Sequence, residues 1–294
     1  MAARVERPEP PLIVIAGPTA SGKTALAIKL AKKFGGEIIC ADSRTVYRGM
    51  DVGTAKPTAE EQAGVPHWGL DLVEPGERFT AADFKAYAEQ KIAEIRERGH
   101  VPFLVGGTGL YIDSVVFDFR FAAAPDESFR QRLNDMSVSE LQKYCKENNV
   151  LLPENKNNKR YLVRAIERKN TSTMRYGAPV GTTYVVGITT ASDVLRTRIE
   201  YRSEQLFANN VVKEATLLGK KYGWKGEAMT GNIYPLVHEY LCGAIDEAEL
   251  KRRFVVSDWR LAKRQMTWLR RNEHMMWADI PAAEHYLSTL LLRE

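Results

Sequence analysis

The residues whose types and spacing could do chemistry fall in three short stretches. GPTASGKT at 17–24 fits the pattern GxxxxGK[ST]. In that pattern glycines let backbone N–H groups turn inward on phosphate oxygens, a lysine adds a full positive charge, and the last hydroxyl can reach Mg2+. Gly17, Thr19, Ala20, Ser21, Gly22, Lys23 and Thr24 are therefore the expected binders of a di- or triphosphate, with Thr24 the expected metal contact. The motif says nothing of what carries the phosphates. Asp42, followed by Ser43, is the second stretch. It could be a general base toward a nucleophile attacking the phosphate-bearing substrate, or hold Mg2+ through water. Asp is also favoured as the cap of an ordinary turn. The third stretch is GGTG at 106–109, where glycines permit close backbone approach and Thr108 offers a hydrogen bond, although a plain strand-to-helix turn has the same composition. Arg198 and Arg202 lie one helical turn apart and can face one pocket, where guanidinium groups steady anionic oxygens; alone, they read equally as a solvated helix face.

These groups can meet only if strands deliver them to one rim. Leu12-Ile-Val-Ile-Ala16 is a continuous apolar run suited to a strand buried on both faces, and it ends at Gly17. Residues 24–34 repeat apolar positions at Leu26, Leu30, Ala31 and Phe34, a helical spacing stopped by Gly35-Gly36. A second strand is expected over 37–41, delivering Asp42 and Ser43 at its carboxyl end. A helix capped by Thr80 is expected over 80–98, and a third strand over 100–105 leading into GGTG. This alternation predicts an α/β fold: a P-loop parallel sheet flanked by helices, with ligands gathering outside the carboxyl ends of the strands. Around 121–125 the alternation stops, and the chain to about 179 reads as helical and polar, a small inserted all-helical subdomain. A strand is expected over 182–190, and long helices over 193–222 and 247–271, packed back on the sheet. The expected division is 1–122 for the first part of the core, 123–180 for the insertion, and 181–294 for the rest.

A length of 294 residues suits one large domain plus a smaller one. With 44% hydrophobic and 27% charged residues the composition is that of a globular chain, which argues against disorder, collagen and coiled coil. The net charge of +5 leans weakly toward a phosphate-rich partner. Cys40, Cys145 and Cys242 are too far apart for a CxxC site or a disulfide framework and read as reduced, cytoplasmic thiols; His67, His238 and His274 have no partners at metal spacing. The longest apolar run is far short of the ~18 residues that span a bilayer, and MAARVERPEPP has no signal-like core, so neither export nor a membrane is expected.

The chain resembles the tRNA dimethylallyltransferases, also called tRNA isopentenyltransferases. The segments that carry the likeness are GPTASGKT at 17–24, ADSRTVYRGMDVGTAKP at 41–57, PHWGLDLVEP at 66–75, FTAADF at 79–84, VPFLVGGTGLY at 101–111 and LAKRQMTWLRR at 261–271. The resemblance implies transfer of a dimethylallyl group from dimethylallyl diphosphate to the N6 amine of the adenosine 3′ of a tRNA anticodon, with release of diphosphate. It implies that the loop at 17–24 binds diphosphate, and that Asp42 is the base engaging the adenine amine. By the same likeness Ser43, Arg44, Thr45, Thr108 and Arg130 resemble tRNA-contacting positions, and Arg202 the arginine that steadies the diphosphate. NNKRYLVRAIE at 157–167 is similar to the family's tRNA-contacting stretch and implicates Arg160 and Arg164.

Elementary chemistry agrees with this assignment. The adenine amine is a poor nucleophile, so a nearby carboxylate is useful, and Lys23, Arg202, Mg2+ and loop amides would stabilise departing diphosphate. The target base must be flipped out of its stack, which costs a few kcal/mol, and phosphate contacts must offset that. Eleven Lys and Arg against seven acids in the insertion supply candidates, as does the basic helix around 260–271. Mg2+ is the expected cofactor, and a cytoplasmic monomer acting on the anticodon arm is the expected form.

Several features depart from the family pattern, among them an insertion shorter than typical. A GYKE-like stretch is replaced by Ile233-Tyr-Pro-Leu236, and a TR pair before LAKRQ by Asp258-Trp259, with consequences expected for RNA affinity, tRNA choice or C-terminal packing. The phosphate loop and Asp42 alone also permit a P-loop small-molecule kinase, in which Asp42 would activate a hydroxyl toward ATP. A transferase acting on free adenine nucleotides and a non-catalytic RNA-binding relative are further rivals.

Overall fold

Five residues with almost no exposed surface, Leu12–Ala16, form strand β1, and with no polar side chain among them both faces must be covered. In the computed structural model, which describes residues 9–121, 126–168 and 177–293, β1 is followed by α1 (Lys23–Phe34), β2 (Gly36–Ala41), α2 (Ala59–Gln62), β3 (His67–Trp68), α3 (Ala81–Glu97), β4 (Val101–Gly106) and α4 (Gly109–Val116). After α5 (Glu127–Asp135), α6 (Val138–Glu147) and α7 (Lys159–Arg168), the chain resumes with β5 (Thr183–Ile188), α8 (Ser192–Ala208) and α9 (Val211–Tyr222). A 3-10 turn at Ala228–Thr230 precedes α10 (Tyr234–Leu241), α11 (Glu247–Leu269), β6 (Met276–Ala278) and α12 (Ile280–Leu291).

The chain forms two compact units, Met1–Asp118 with Ala178–Glu294, and Phe119–Gly177. In the first, six strands make one sheet in the order β3-β2-β4-β1-β5-β6, every pair parallel. The α/β class expected from the alternation is the observed one. Leu26, Ala27, Leu30 and Ala31 of α1 pack on β1 residues Ile13 and Ile15, and Ala283 and Leu287 of α12 join the same core. The C-terminal segment thus packs back on the sheet.

Two strands escape a reading of periodicity, because β3 and β6 have only two and three residues. The single helix expected over 193–222 is two. Asn210 adopts a left-handed conformation, φ 63°, and breaks it between α8 and α9; asparagine tolerates that region where most side chains do not.

The second unit contains α5, α6 and α7 around Leu133, Leu141, Cys145, Val150, Leu162, Val163 and Ile166. Ser137 caps α6 with a reciprocal bond to Glu140. The first eight residues, the expected boundary near 122, and two of the insertion's eleven basic residues, Lys169 and Arg175, lie outside the described residues. Among the described residues no helix is long and apolar enough to cross a membrane.

Candidate active site

Register decides which groups meet. Ala16 of β1 and Ala41 of β2 both lie opposite Gly106 of β4. Residues 17, 42 and 107 therefore leave three adjacent strands side by side, which is why the phosphate loop, Asp42 and GGTG share one rim. Gly17 N–H donates to the Gly106 carbonyl at 3.2 Å, and Thr108 N–H to the Ala41 carbonyl at 3.2 Å, pinning the three exits together. A Cβ at Gly107 would lie 2.4 Å from Gln265 Nε2 and 3.0 Å from the Gly17 carbonyl, so a side chain here would displace Gln265 and crowd the loop.

The loop turns through left-handed residues Ala20 (φ 60°) and Gly22 (φ 89°) before α1 starts at Lys23. The free N–H groups of that helix end, with Lys23, make an anion cradle. Lys23 Nζ donates to the Pro18 carbonyl at 3.1 Å. Loss of water around the ammonium holds its pKa down to about 8, against the opposing attraction of Asp42. Two guanidinium groups come from α8. Arg198 donates to the Ser21 carbonyl at 3.1 Å; Arg202 donates to Thr19 Oγ1 at 2.5 Å and to the Thr54 carbonyl at 3.2 Å. Both arginines reach the loop, but only Arg202 lines the cavity.

Across the cavity, Asp42 Oδ1 accepts the Arg44 N–H at 2.8 Å. The turn-capping reading of Asp42 is thus real, and it uses one oxygen; Oδ2 has no hydrogen-bond partner among the described residues. Ser43 N–H donates to Thr108 Oγ1 at 3.0 Å, so Thr108 ties the two rims together in place of capping α4. Thr45 is buried, with its hydroxyl donating to the Asp42 carbonyl at 3.4 Å. Arg44 donates to the Glu227 carbonyl and to Thr230 Oγ1, closing the mouth on that side.

These groups enclose a cavity of about 450 Å3, lined by Thr19, Ala20, Gly22, Lys23, Thr24, Asp42, Ser43, Thr108 and Arg202, with Ile38, Cys40, Val105, Phe254 and Leu261 as an apolar wall. Of the expected phosphate binders, Gly17 and Ser21 are not among the cavity's lining residues, and the Ser21 hydroxyl is buried without a partner among the described residues. Burial and the Asp42 charge push the Cys40 thiol up to about 12, so it serves as apolar lining. Among the described residues no three of His, Cys, Asp and Glu converge on a metal. Mg2+ typically keeps several waters and binds through one or two protein oxygens plus substrate phosphates, so the Thr24 hydroxyl with a carboxylate nearby is a fitting donor set.

Three lining residues had no signal in spacing. Gln265 Oε1 of α11 accepts the Thr19 N–H at 2.8 Å, fastening the phosphate loop to a helix 246 positions away. Asp258 is buried in the same wall, where Oδ1 accepts from Asn232 Nδ2 at 3.1 Å and Oδ2 faces Thr19 Oγ1 at 3.5 Å. The departure at Asp258 therefore meets Asn232, the neighbour of the other departure, inside the cavity.

In the helical unit, Arg160 and Arg164 sit on the exposed face of α7, opposite buried Leu162, Val163 and Ile166. Arg130, for which the likeness implies a tRNA contact, is held by an ion pair within this unit. Its guanidinium donates to both Glu167 oxygens at 2.6 and 2.8 Å and is mostly covered. Partial burial of the guanidinium, and after it the Arg130 charge, lower the pKa of Arg164, while Glu167 at 3.6 Å opposes the shift.

The family model for IPP transferase matches residues 45–272, and that for isopentenyl transferase residues 10–74. A tRNA dimethylallyltransferase of Desulforudis audaxviator is 38% identical over 286 residues, covering 92% of each chain. The chain belongs to the tRNA dimethylallyltransferase family. A second family member, from Geobacillus thermodenitrificans, is 36% identical and covers 94% of this chain and 92% of its own. The crystal structure of the full-length tRNA isopentenylpyrophosphate transferase from Bacillus halodurans superposes with a TM-score of 0.75 at 35% identity, covering 96% of this chain and 97% of that one. A eukaryotic dimethylallyltransferase acting on tRNA shares the fold, with a TM-score of 0.76 at 21% identity, covering 92% of this chain and 74% of its own.

Proposed function

We propose that the chain transfers the dimethylallyl group of dimethylallyl diphosphate to the N6 amine of the adenosine 3′-adjacent to the anticodon of tRNA, releasing diphosphate. One observation carries the reading: the Lys23 cradle and the Asp42 carboxylate line the same cavity, close enough for Asp42 to be the main charge opposing the fall in the Lys23 pKa.

The division of labour follows from charge. The cradle holds diphosphate through loop amides, Lys23, Thr24 and Arg202, while Ile38, Val105, Phe254 and Leu261 offer an apolar surface to the prenyl carbons. A flipped adenine enters beside Asp42. The new N6–C1 bond forms as the C1–O bond breaks, diphosphate takes the bonding electrons, and the surplus proton on N6 passes to Asp42 Oδ2. Lys23 and Arg202 neutralise charge where it grows, on the leaving oxygens. Mg2+, held by Thr24 and the diphosphate, would add Lewis-acid stabilisation of the leaving group. Ser43, Arg44, Thr45 and Thr108 form the rim next to the entering nucleotide, and Arg160 and Arg164 serve the RNA backbone, with Arg130 buttressing α7 through Glu167. The protein is read as a cytoplasmic monomer, where its RNA substrate resides.

Incubation with dimethylallyl diphosphate labelled in the prenyl group, in separate mixtures with tRNA, AMP and ATP, is expected to label tRNA alone. Label on AMP or ATP in place of tRNA would move the chain to the free-nucleotide transferases, and no label on any acceptor would overturn the reading.

A further inference from the structure

Glu214, on α9, is not among the cavity's lining residues, yet its carboxylate is the most fully engaged near it. Oε2 accepts the N–H groups of Asp51 (2.9 Å) and Val52 (2.7 Å), and Oε1 accepts Gly53 N–H (2.9 Å) and the Tyr234 hydroxyl (2.9 Å). Among the described residues no Lys or Arg pairs with it. The charge is balanced by three successive peptide dipoles and one phenol, the arrangement of an anion nest.

Orientation of those peptides has a consequence on their other side, because N–H and C=O point opposite ways across a planar trans peptide. With the N–H groups of 51–53 turned to Glu214, the carbonyls of 50–52 face away and close the loop on itself. Met50 O accepts Thr54 Oγ1, Asp51 O accepts Lys56 N–H, and Val52 O accepts Ala55 N–H. The product of this folding is a fixed Thr54 carbonyl, and it accepts from Arg202 Nη2. Tyr234 backs the nest, and a Cβ at Gly53 would lie 2.6 Å from its hydroxyl, so the glycine of DVGTAKP is a packing requirement. Burial and the Glu214 charge push the Tyr234 pKa up, keeping the phenol a donor.

We infer that Glu214 is a positioning residue for the diphosphate end of the site: by gripping the 51–53 backbone it fixes the Thr54 carbonyl that aims Arg202. The inference rests on the reading of Arg202 as a diphosphate ligand, and a double-mutant cycle separates the two. Glu214→Gln has the same shape but puts an amide –NH2 where the nest needs an acceptor. Calorimetric titration with inorganic diphosphate, alongside KM for dimethylallyl diphosphate and kcat, is the measurement. Arg202→Ala is expected to weaken diphosphate strongly. Glu214→Gln is expected to weaken it about tenfold and to raise KM more than it lowers kcat, and to have little further effect in the Arg202→Ala background, since coupled groups are not additive. If Glu214→Gln does not fold, Tyr234→Phe, which removes one donor, is expected to weaken diphosphate about threefold, again only when Arg202 is present. Unchanged affinity in a folded Glu214 variant, or a loss that adds in full to that of Arg202→Ala, would overturn the inference. Unchanged affinity in Arg202→Ala would instead remove the arginine from the site, and the inference with it.

Discussion

A carboxylate stands near each end of strand β2, and the two are used in opposite ways. Near the amino end, the buried Glu37 accepts from Arg98 Nε at 2.9 Å and Nη2 at 2.8 Å and from Trp68 Nε1 at 2.7 Å, and is 2.7 Å from His100 Nδ1. Burial alone would push its carboxyl up, but these bonds outweigh it and hold the pKa at about 2. Just beyond the carboxyl end, Asp42 accepts one backbone N–H and faces an ammonium across a cavity. A carboxylate whose oxygens are saturated has no lone pair left for a substrate. Partners, more than burial, separate the acid that holds the sheet from the acid available for chemistry.

The widest break in this comparison is expected from Asp42→Asn. The amide keeps an oxygen to cap Arg44 and loses the ability to take a proton, so turnover should fall about a thousandfold, within the range for general-base removal. Binding of tRNA, followed by filter retention, should change little. Equal loss of turnover and tRNA affinity would make Asp42 a recognition residue and dissolve the contrast with Glu37.

How far the sequence revealed this contrast depends on the range of each contact. The phosphate loop, Asp42 and GGTG were legible because glycine spacing and strand ends are local, and parallel register then forces them together. Gln265 and Glu214 were not: their bonds cross 246 and more than 160 positions, and a Glu or Gln on an amphipathic helix carries no mark of which loop it will meet. Arg44 shows the same difficulty. The family likeness implies a tRNA contact for it, and nothing local announces that its guanidinium also bridges to Glu227 and Thr230, more than 180 positions away. Glu37, read only as the start of a strand, acquires its role from Trp68 and Arg98, which packing brings beside it.

Glu37→Gln tests the structural half. The charge has three partners but Arg98 and His100 are partly exposed, so the expected loss is about 2 kcal/mol, below that for an enclosed pair. The pH dependence has a definite sign. The folded pKa of about 2 lies below the ordinary 4.5, so the stabilisation is complete above 4.5 and is lost as pH falls from there toward 2. Urea unfolding over that window should show the wild-type midpoint falling toward that of the variant. Parallel curves would mean that Glu37 contributes shape alone.

Lys23 sharpens the comparison from the cation's side, because it is short of water where Arg98 is not. Diphosphate binding favours the charged ammonium. Affinity for dimethylallyl diphosphate, already fully ionised there, should therefore hold below about pH 8 and fall up to tenfold per unit above it, until the raised pKa of the complex is reached. Calorimetry at several pH values measures this, and a flat alkaline limb would show that Lys23 stays charged.

Asp258 lies between the two extremes and gives the smallest effect. Like Glu37 it is buried, and like Asp42 it lines the cavity, with Asn232 and Thr19 as its neighbours. Its negative charge raises the Lys23 pKa and opposes an incoming anion. The two actions separate by pH. Well below pH 8, where Lys23 is charged either way, Asp258→Thr removes only the repulsion, and bare diphosphate without Mg2+ should bind about fivefold tighter. Near pH 8 the variant loses the charge that supported the ammonium, so the alkaline fall in affinity should begin at lower pH than in the wild type. Crossing of the two affinity curves would identify Asp258 as an electrostatic regulator of the cradle. Superimposed curves would make it a packing residue whose charge the site does not feel.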